Sequence, residues 1–145
     1  MVGLLDVNVL VALFDGEHPH HPAAHEWFGR SRTLGWATCP LTENGFLRVS
    51  TNPAFHPRAP ALGEAVSALA DLRAVPGHEF WPDDLSLCDG RHFDPSRVLG
   101  HRQITDAYIL ALAVHRSGRL VTFDRGIPLA AVAGSKPEHL LVLQA

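Results

Sequence analysis

The chain has 145 residues, and its 15 acidic and 12 basic side chains leave a net charge of −3 with histidine neutral. This length is that of one ordinary domain, and a composition of 46% hydrophobic and 19% charged residues excludes a disordered chain. The small negative charge also excludes the overall positive field of a protein that binds nucleic acid without regard to its sequence.

Two features of the sequence bear on membranes and secretion. The longest apolar runs are interrupted by Asp6, Asn8 and Asp106, so none reaches the roughly 18 residues of a spanning helix. The N-terminus has no basic stretch before its apolar run and does not resemble a signal peptide. We therefore expect a cytoplasmic protein that does not enter a membrane, with Cys39 and Cys88 as free, buried thiols.

Short apolar runs alternate with longer amphipathic ones along the chain. The patterns predict strands at residues 3–6, 36–39, 79–81, 120–123 and 140–143. They predict helices over residues 7–14, 22–28, 41–50, 61–74 and 105–117, and a short one near 128–132. Residues 82–103 have no clear period, which predicts a long surface connection with one helical turn.

This alternation of strands and helices is typical of a mostly parallel sheet, because parallel neighbours need helical crossovers. We therefore predict the α/β class, with one domain over residues 1–145 and a central sheet flanked by helices on both faces. Ligands bind such sheets outside the carboxyl ends of the strands. The residues that follow each strand are thus the first candidates for a site.

Two aspartates follow predicted strands. Asp6 ends the first apolar strand and Asp124 follows the fourth, where Thr122 lies on the same face because strand side chains alternate. A carboxylate at such a position either faces a cleft or serves the local backbone. The local alternatives are that Asp6 caps the next helix and that Asp124 forms the turn before Arg125 and Gly126.

Two further acids lie on apolar helix faces. Glu43 shares a face with Phe46, and Asp106 shares one with Ile109, because residues three apart lie together on a helix. The alternative for Asp106 is an acid that the N-terminus of its helix stabilises by about 0.3–1 kcal/mol, with Thr105 as the cap.

Together, the four acids point to a metal site. Buried carboxylates repel one another and lose solvation unless a cation balances them, and the sequence places no basic partner beside Asp6, Glu43 or Asp106. Oxygen ligands without a set of cysteines or histidines are those of Mg²⁺ or Mn²⁺. Because such an ion activates water and balances charge on a phosphodiester, the sequence indicates phosphodiester hydrolysis without a side-chain nucleophile.

Several motifs, taken in order, resemble the acidic signatures of PIN-domain ribonucleases over essentially the whole chain. They are Leu4-Leu5-Asp6-Val7-Asn8-Val9-Leu10, Thr42-Glu43, Thr105-Asp106-Ala107-Tyr108 and Thr122-Phe123-Asp124. The length and three further runs are similar to those of VapC-type toxins of bacterial toxin–antitoxin pairs, particularly a mycobacterial-like subgroup. These runs are His20-His21-Pro22, Cys39-Pro40-Leu41-Thr42-Glu43-Asn44-Gly45-Phe46-Leu47-Arg48 and Thr51-Asn52-Pro53.

The resemblance implies a metal-dependent endoribonuclease that acts as a toxin. The catalytic residues that it implies are Asp6, Glu43, Asp106 and Asp124. Asp6 and Asp106 would ligate Mg²⁺, or Mn²⁺, directly, with the other two acids as further candidate ligands, and Asn8 and Thr122 would orient them. The resemblance also implies RNA as substrate, a homodimer, and inhibition by a cognate VapB-type antitoxin that blocks the acidic cleft. Val7 departs from the pattern, because many relatives carry Ser or Thr there.

Histidines and arginines outside these motifs allow other interpretations. His21 and His25 lie four apart on a predicted helix, with His18 and His20 nearby, which is compatible with a zinc site. No acidic or cysteine ligand accompanies them at a familiar spacing, and a solvated helix start or an RNA contact explains them without a metal.

The arginines near the predicted cleft have two interpretations as well. Arg91, Arg97 and Arg102 flank the long connection close to Asp106 in the sequence. They either bind RNA phosphates or keep the surface soluble.

Three rival functions stay open at this point. Receiver-like signalling domains also carry acids at strand ends, but they use a lysine after a late strand, and the only lysine, Lys136, precedes Pro137 in a predicted loop. A PIN-like module that binds RNA without catalysis does not need four acids. A PIN-like nuclease for DNA, or a phosphatase, is compatible with the motifs because the metal acts on the phosphodiester and not on the sugar.

Overall fold

The computed structural model describes residues 1–144. Its longer elements, in chain order, are β1 (Gly3–Leu5), α1 (Val7–Phe14), α2 (His21–Ser31), β2 (Trp36–Thr38), α3 (Pro40–Ser50), α4 (Leu62–Arg73), β3 (His78–Phe80), α5 (Ile104–His115), β4 (Arg119–Thr122) and β5 (Leu140–Val142). Short 3₁₀ turns lie at Arg32–Leu34, Pro95–Arg97, His101–Gln103, Leu129–Ala131 and Pro137–His139.

The strands form one parallel sheet in the order β3-β2-β1-β4-β5. β1 is central, and its Leu4 pairs with Ala37 of β2 and with Leu120 of β4. Because all strands run in one direction, their carboxyl ends share one edge, where α1 and α3 begin shortly after β1 and β2. The predicted α/β class with a parallel central sheet is confirmed.

Helices cover both faces of this sheet. On one face α5 packs against Leu4 and Leu120, and on the other α1, α2, α3 and α4 pack against Leu5 and Val121. Successive strand residues therefore enter different cores, as the alternation of strand side chains requires. The same rule decides which face of the sheet a polar side chain occupies at a strand end.

The connection between β3 and α5 is more ordered than the sequence predicts. It contains two 3₁₀ turns instead of one helical turn. Asp94 begins the first turn, because its side chain accepts a hydrogen bond from Ser96 N at 3.1 Å and Pro95 suits the first helical position. An isolated antiparallel bridge also joins Phe93 to Val132 and holds the connection to the domain.

Two smaller predictions are wrong. Cys39 and Cys88 are both free, but Cys88 is exposed because it lies in the surface connection, where its N–H donates to Ser86 Oγ at 3.1 Å. The short helix predicted near residues 128–132 is one 3₁₀ turn at Leu129–Ala131, because the backbone of Pro128 is not helical. Within residues 1–144, no helix combines the length and apolar character needed to cross a membrane.

Candidate active site

Asp6 lies directly after β1, and both of its carboxylate oxygens are bound. Oδ1 accepts a hydrogen bond from Val7 N at 2.7 Å, so Asp6 is the N-cap of α1. Oδ2 accepts a hydrogen bond from the Thr122 hydroxyl at 2.8 Å. Burial raises the pKa of Asp6, the two hydrogen bonds oppose that rise, and the charge of Asp124 adds to it. Asp6 thus caps a helix and is also a buried acid beside another acid.

A polar network centred on Thr122 orients this part of the site. Thr122 ends β4 and is fully buried. Its hydroxyl donates to Asp6 Oδ2 and accepts hydrogen bonds from Asn8 Nδ2 at 3.1 Å and Asp124 N at 3.0 Å. Asn8 Oδ1 accepts in turn from Phe123 N at 3.2 Å. The network therefore fixes the Asp6 carboxylate and the backbone that carries Asp124.

Asp106 lies in the first turn of α5, facing the other two aspartates. Burial, the largest cause, acts together with repulsion from Asp6 and Asp124 and a hydrogen bond to Asp124 to raise the pKa of Asp106 to about 6. The predicted cap by Thr105 is wrong. The helix begins one residue earlier, at Ile104, so Thr105 is already inside it.

Asp124 occupies the turn after β4, as the local alternative predicts. Its Oδ1 accepts a hydrogen bond from Gly126 N at 2.7 Å. Gln103, at the start of α5, donates through Nε2 to Gly126 O at 2.9 Å. This contact ties the turn of Asp124 to the helix of Asp106.

These three side chains form what we call the aspartate cleft: Asp6, Asp106 and Asp124. Within residues 1–144, none of them makes an ion pair with an arginine, lysine or histidine. Carboxylates brought together in this way repel one another and lose solvation. Within residues 1–144, the protein therefore supplies no ion pair that would balance the negative charge of the cleft.

Glu43 is not among the charges that shift the pKa of Asp6 or Asp106, and it has a basic partner that the sequence does not place beside it. Its Oε2 accepts a hydrogen bond from the Thr38 hydroxyl at 2.6 Å, and its Oε1 faces Arg73 Nη1 at 3.4 Å. The side chain is 14% exposed. Thr38 lies on the same face of the sheet as Trp36 and Leu5, which is opposite to the face of Thr122. The structure thus places Glu43 beside the end of β2, with its charge already balanced.

Comparisons with known proteins agree with this architecture. The sequence pattern of the PIN domain matches residues 3–134. The chain belongs to the PIN domain family. Ribonuclease VapC38 of Mycobacterium tuberculosis is 51% identical, with 98% of this chain and 99% of that protein covered. Ribonuclease VapC44 of the same species is 44% identical, with 99% and 100% covered.

Solved structures show the same fold at low sequence identity. VapBC2 of Rickettsia felis, in a crystal structure with a DNA fragment from its promoter, has a TM-score of 0.64 and 13% identity over 99% of this chain and 100% of that one. VapC20 of M. tuberculosis, a toxin that cleaves the sarcin-ricin loop, has a TM-score of 0.59 and 15% identity over 93% and 99%.

A second acidic group lies elsewhere in this PIN domain. Asp15, Glu17 and His56 are the one group within residues 1–144 whose donor atoms all lie within 4.8 Å of one another, so by proximity alone they could hold a metal ion. They lie at the far end of α1 from Asp6, about 13 Å away at 1.5 Å per residue. His56 Nδ1 accepts a hydrogen bond from Arg58 N at 3.0 Å, so a neutral ring carries its proton on Nε2, which faces Asp15 Oδ2 at 3.5 Å. An ion on Nε2 would displace that proton, so the group is better described as a His–Asp pair.

The histidines near α2 form no comparable group within residues 1–144. His21 Nδ1 lies 2.7 Å from Ala12 O, and His20 stacks on Phe123 with ring centres 4.5 Å apart. These contacts are structural, and they give the zinc interpretation no support. Among the arginines of the connection, Arg91 and Arg97 pair with neighbouring aspartates at 2.7 and 3.3 Å.

The donor set of the aspartate cleft fits a hard divalent cation. It consists of carboxylate oxygens without sulfur or imidazole, which is the chemistry that Mg²⁺ and Mn²⁺ prefer. Burial and neighbouring acids raise the pKa values of Asp6 and Asp106, and a bound cation would oppose both effects. A Mg²⁺ ion that keeps several waters can bridge wider spacings.

Proposed function

We propose that this PIN domain is a metal-dependent endoribonuclease and the toxin of a toxin–antitoxin pair, acting in the cytoplasm on RNA. One observation carries the proposal: three aspartates converge without a cationic partner at the carboxyl edge of the sheet. Similarity to ribonucleases named VapC over nearly the full chain supports RNA as the substrate.

Asp6 and Asp106 are the proposed ligands of Mg²⁺ or Mn²⁺, and Asp124, whose charge acts on both, is the next candidate. The ion, when bound, would lower the pKa of a bound water and balance charge on the phosphodiester. Thr122 and Asn8 hold the first ligand in place, since Thr122 donates to Asp6 and Asn8 donates to Thr122. These contacts concern the metal ligands and do not determine which RNA is cleaved.

Glu43 is proposed to act from the flank of the cleft and not as a ligand of the ion. Arg73 already balances its charge, and Thr38 fixes one of its oxygens. A carboxylate held in this way is suited to orient the attacking water or to take its proton.

The proposed partners follow the family resemblance. We propose a homodimer that binds a cognate VapB-type antitoxin, which would block the aspartate cleft and so suppress cleavage. We also propose that residues 1–145 work as one nuclease domain.

The test is cleavage of total bacterial RNA by the purified protein with Mg²⁺ or Mn²⁺. We expect discrete fragments that disappear with EDTA and are at least about 100-fold weaker with Asp6→Asn or Asp106→Asn, because both variants remove a proposed ligand charge. Asp15→Asn is the matched control, since Asp15 belongs to the other acidic group. It should cleave like the wild type.

Three results would contradict the proposal. Fragments that persist in both cleft variants would place the site elsewhere or reveal a contaminant. A folded protein that binds Mn²⁺ and RNA without cleaving it would favour a non-catalytic RNA-binding module. Cleavage of single-stranded DNA of matched sequence, with RNA left intact, would favour a DNA nuclease.

A further inference from the structure

The edge strand β3 contributes two side chains to the surroundings of Glu43. In the register of the sheet, Trp36 pairs with His78 and Thr38 pairs with Phe80. Because strand side chains alternate, His78 and Phe80 lie on the same face as Thr38. The ring of His78 also packs against Trp36, with ring centres 4.6 Å apart. Two alternate residues of one short strand thus reach the region where Glu43 is bound.

A chain of two short hydrogen bonds links His78 to Glu43. The Thr38 hydroxyl lies 2.6 Å from Glu43 Oε2 and 2.7 Å from His78 Nε2. A hydroxyl has one proton, and an ionised Glu43 can only accept, so Thr38 donates to Glu43. The contact with His78 therefore requires that Nε2 carries a proton and donates to Thr38. This arrangement fixes both the direction of the Thr38 hydroxyl and the tautomer of His78.

The second oxygen of Glu43 depends on the same strand. Arg73 Nη1 lies 3.4 Å from Glu43 Oε1, and the Arg73 guanidinium lies over the ring of Phe80, 4.9 Å from its centre. A guanidinium over an aromatic face is attracted by the ring, which limits where the side chain can go. Phe80 is 45% exposed, and its ring contributes to the site by holding the Arg73 guanidinium.

We propose that His78 is a positioning residue for Glu43, acting through the hydroxyl of Thr38. Phe80 serves the same carboxylate through Arg73. The inference rests on the proposed catalytic role of Glu43, and it extends that role to an edge strand with no residue in the aspartate cleft. A carboxylate that is held at both oxygens keeps one orientation, and small errors in the placement of reacting groups have large effects on rate.

The charges around His78 agree with this assignment. Arg73 faces it from α4, Glu43 from α3, and Glu79 is its neighbour on β3. Burial, followed by the charge of Arg73, lowers the pKa of His78, while the two glutamates oppose that effect. The neutral form of His78 is therefore favoured, and its one ring proton is the one donated to Thr38.

The test is a double-mutant cycle on an RNA that carries one mapped cleavage site. His78→Phe keeps a ring of similar size and removes the donor, so we expect kcat to fall about 10-fold with KM changed less than about 2-fold. In a Glu43→Gln background the same substitution should have no further effect, because the two residues act through one chain of contacts. Thr38→Val should reproduce the loss, and Thr38→Ser, which keeps the hydroxyl, should restore most of the rate.

Nitrogen chemical shifts of the His78 ring at pH 7 give a readout that does not depend on activity. We expect the tautomer protonated at Nε2, and a changed shift in Thr38→Val. His25→Phe, on the exposed surface of α2, is the matched control for the loss of a histidine and should cleave normally. Melting temperatures of all variants distinguish a loss of activity caused by unfolding from one caused by misorientation of Glu43.

Each failure has its own signature. A wild-type protein that does not cleave RNA overturns the proposed function. A wild type that cleaves and a Glu43→Gln variant with a lowered but measurable rate, together with full activity of His78→Phe, overturns only the present inference. The inference also fails if His78→Phe has an equal effect in the Glu43→Gln background, or if the ring proton is on Nδ1.

Discussion

Two buried threonines end strands on either side of β1, and they make a natural comparison. Thr122 of β4 donates a hydrogen bond to Asp6 at 2.8 Å, and Thr38 of β2 donates one to Glu43 at 2.6 Å. Both are fully buried, yet they lie on opposite faces of the sheet. Each therefore supports a carboxylate in a different environment.

The two environments differ in how the charge is balanced. Glu43 has Arg73 at 3.4 Å, whereas Asp6 makes no ion pair within residues 1–144, and burial and the charge of Asp124 raise its pKa. A carboxylate with a basic partner needs no bound ion to balance its charge. An unbalanced group of carboxylates is stable only if something else supplies positive charge, because repulsion and desolvation both oppose it. This difference is why we propose the metal on the Asp6 side and an orienting or proton-accepting role on the Glu43 side.

The sharpest way to break this comparison is to measure metal binding on both sides. Asp106→Asn is expected to weaken Mn²⁺ binding by at least about 100-fold, since loss of a mere orienting partner already costs up to about that much. Glu43→Gln is expected to change it by less than about 3-fold, because Arg73 and not an ion balances that charge. Titration calorimetry at pH 7 gives both affinities. Equal losses in the two variants would make Glu43 a ligand and remove the distinction.

A second prediction compares the two threonines directly. Thr122→Val leaves Asn8 Nδ2 and Asp124 N without their acceptor, so we expect a stability loss of about 1–3 kcal/mol and a roughly 10-fold weaker Mn²⁺ affinity. Thr38→Val should leave Mn²⁺ affinity unchanged and lower the rate of RNA cleavage. Urea unfolding and calorimetry separate these effects, with Thr122→Ser as the control that keeps the hydroxyl. A normal Mn²⁺ affinity in Thr122→Val would show that the network does not orient the ligands.

The sequence predicts one of these sides better than the other. Asp6 and Asp124 follow strands, and Asp106 stands on an apolar helix face, so patterns within a few residues were enough to single them out. Their convergence follows from the order of parallel strands, since β1 and β4 are neighbours and end at one edge. The fold class and the layers could be predicted for the same reason.

The surroundings of Glu43 depend on distant parts of the chain. Arg73 lies 30 residues beyond Glu43, and His78 lies 40 residues beyond Thr38. Their meeting depends on how α4 packs on α3 and on the register of an edge strand, and no local pattern of residues encodes either. The apolar helix face singled out Glu43 itself, but no pattern in the sequence indicated a role for Thr38, Arg73 or His78. Capping by Thr105 failed for a related reason, because helix boundaries depend on the preceding 3₁₀ turn.

A third prediction concerns pH and the protein without metal. Burial and neighbouring acids raise the pKa of Asp106 from 3.8 to about 6, so the folded protein holds this proton more tightly than the unfolded chain. Stability should therefore fall as pH rises from about 4 to about 6, by about 1 kcal/mol, because Asp106 is half-buried and solvent screens part of the effect. Urea unfolding in EDTA at several pH values measures this slope, which Asp106→Asn should flatten. Added Mg²⁺ should raise stability most at the upper end of the range, where the cleft is ionised, and a slope unaffected by Asp106→Asn would contradict the assignment.

The smallest effect is expected at the group of Asp15, Glu17 and His56, whose donor atoms lie within 4.8 Å of one another although it is not the proposed metal site. His56 faces Asp15 at 3.5 Å, and its other ring nitrogen accepts from Arg58 N, so neither nitrogen is free for an ion. His56→Gln is therefore expected to change Mn²⁺ affinity by less than about 2-fold and stability by less than about 1 kcal/mol, as is usual for a pair near the surface. Calorimetry and thermal unfolding of this variant decide the matter. A large loss of Mn²⁺ affinity here, with normal binding by Asp106→Asn, would move the ion to the far end of α1. Close spacing of the donor atoms would then locate a metal site better than the lack of a basic partner does. The comparison of Asp6 with Glu43 indicates the opposite.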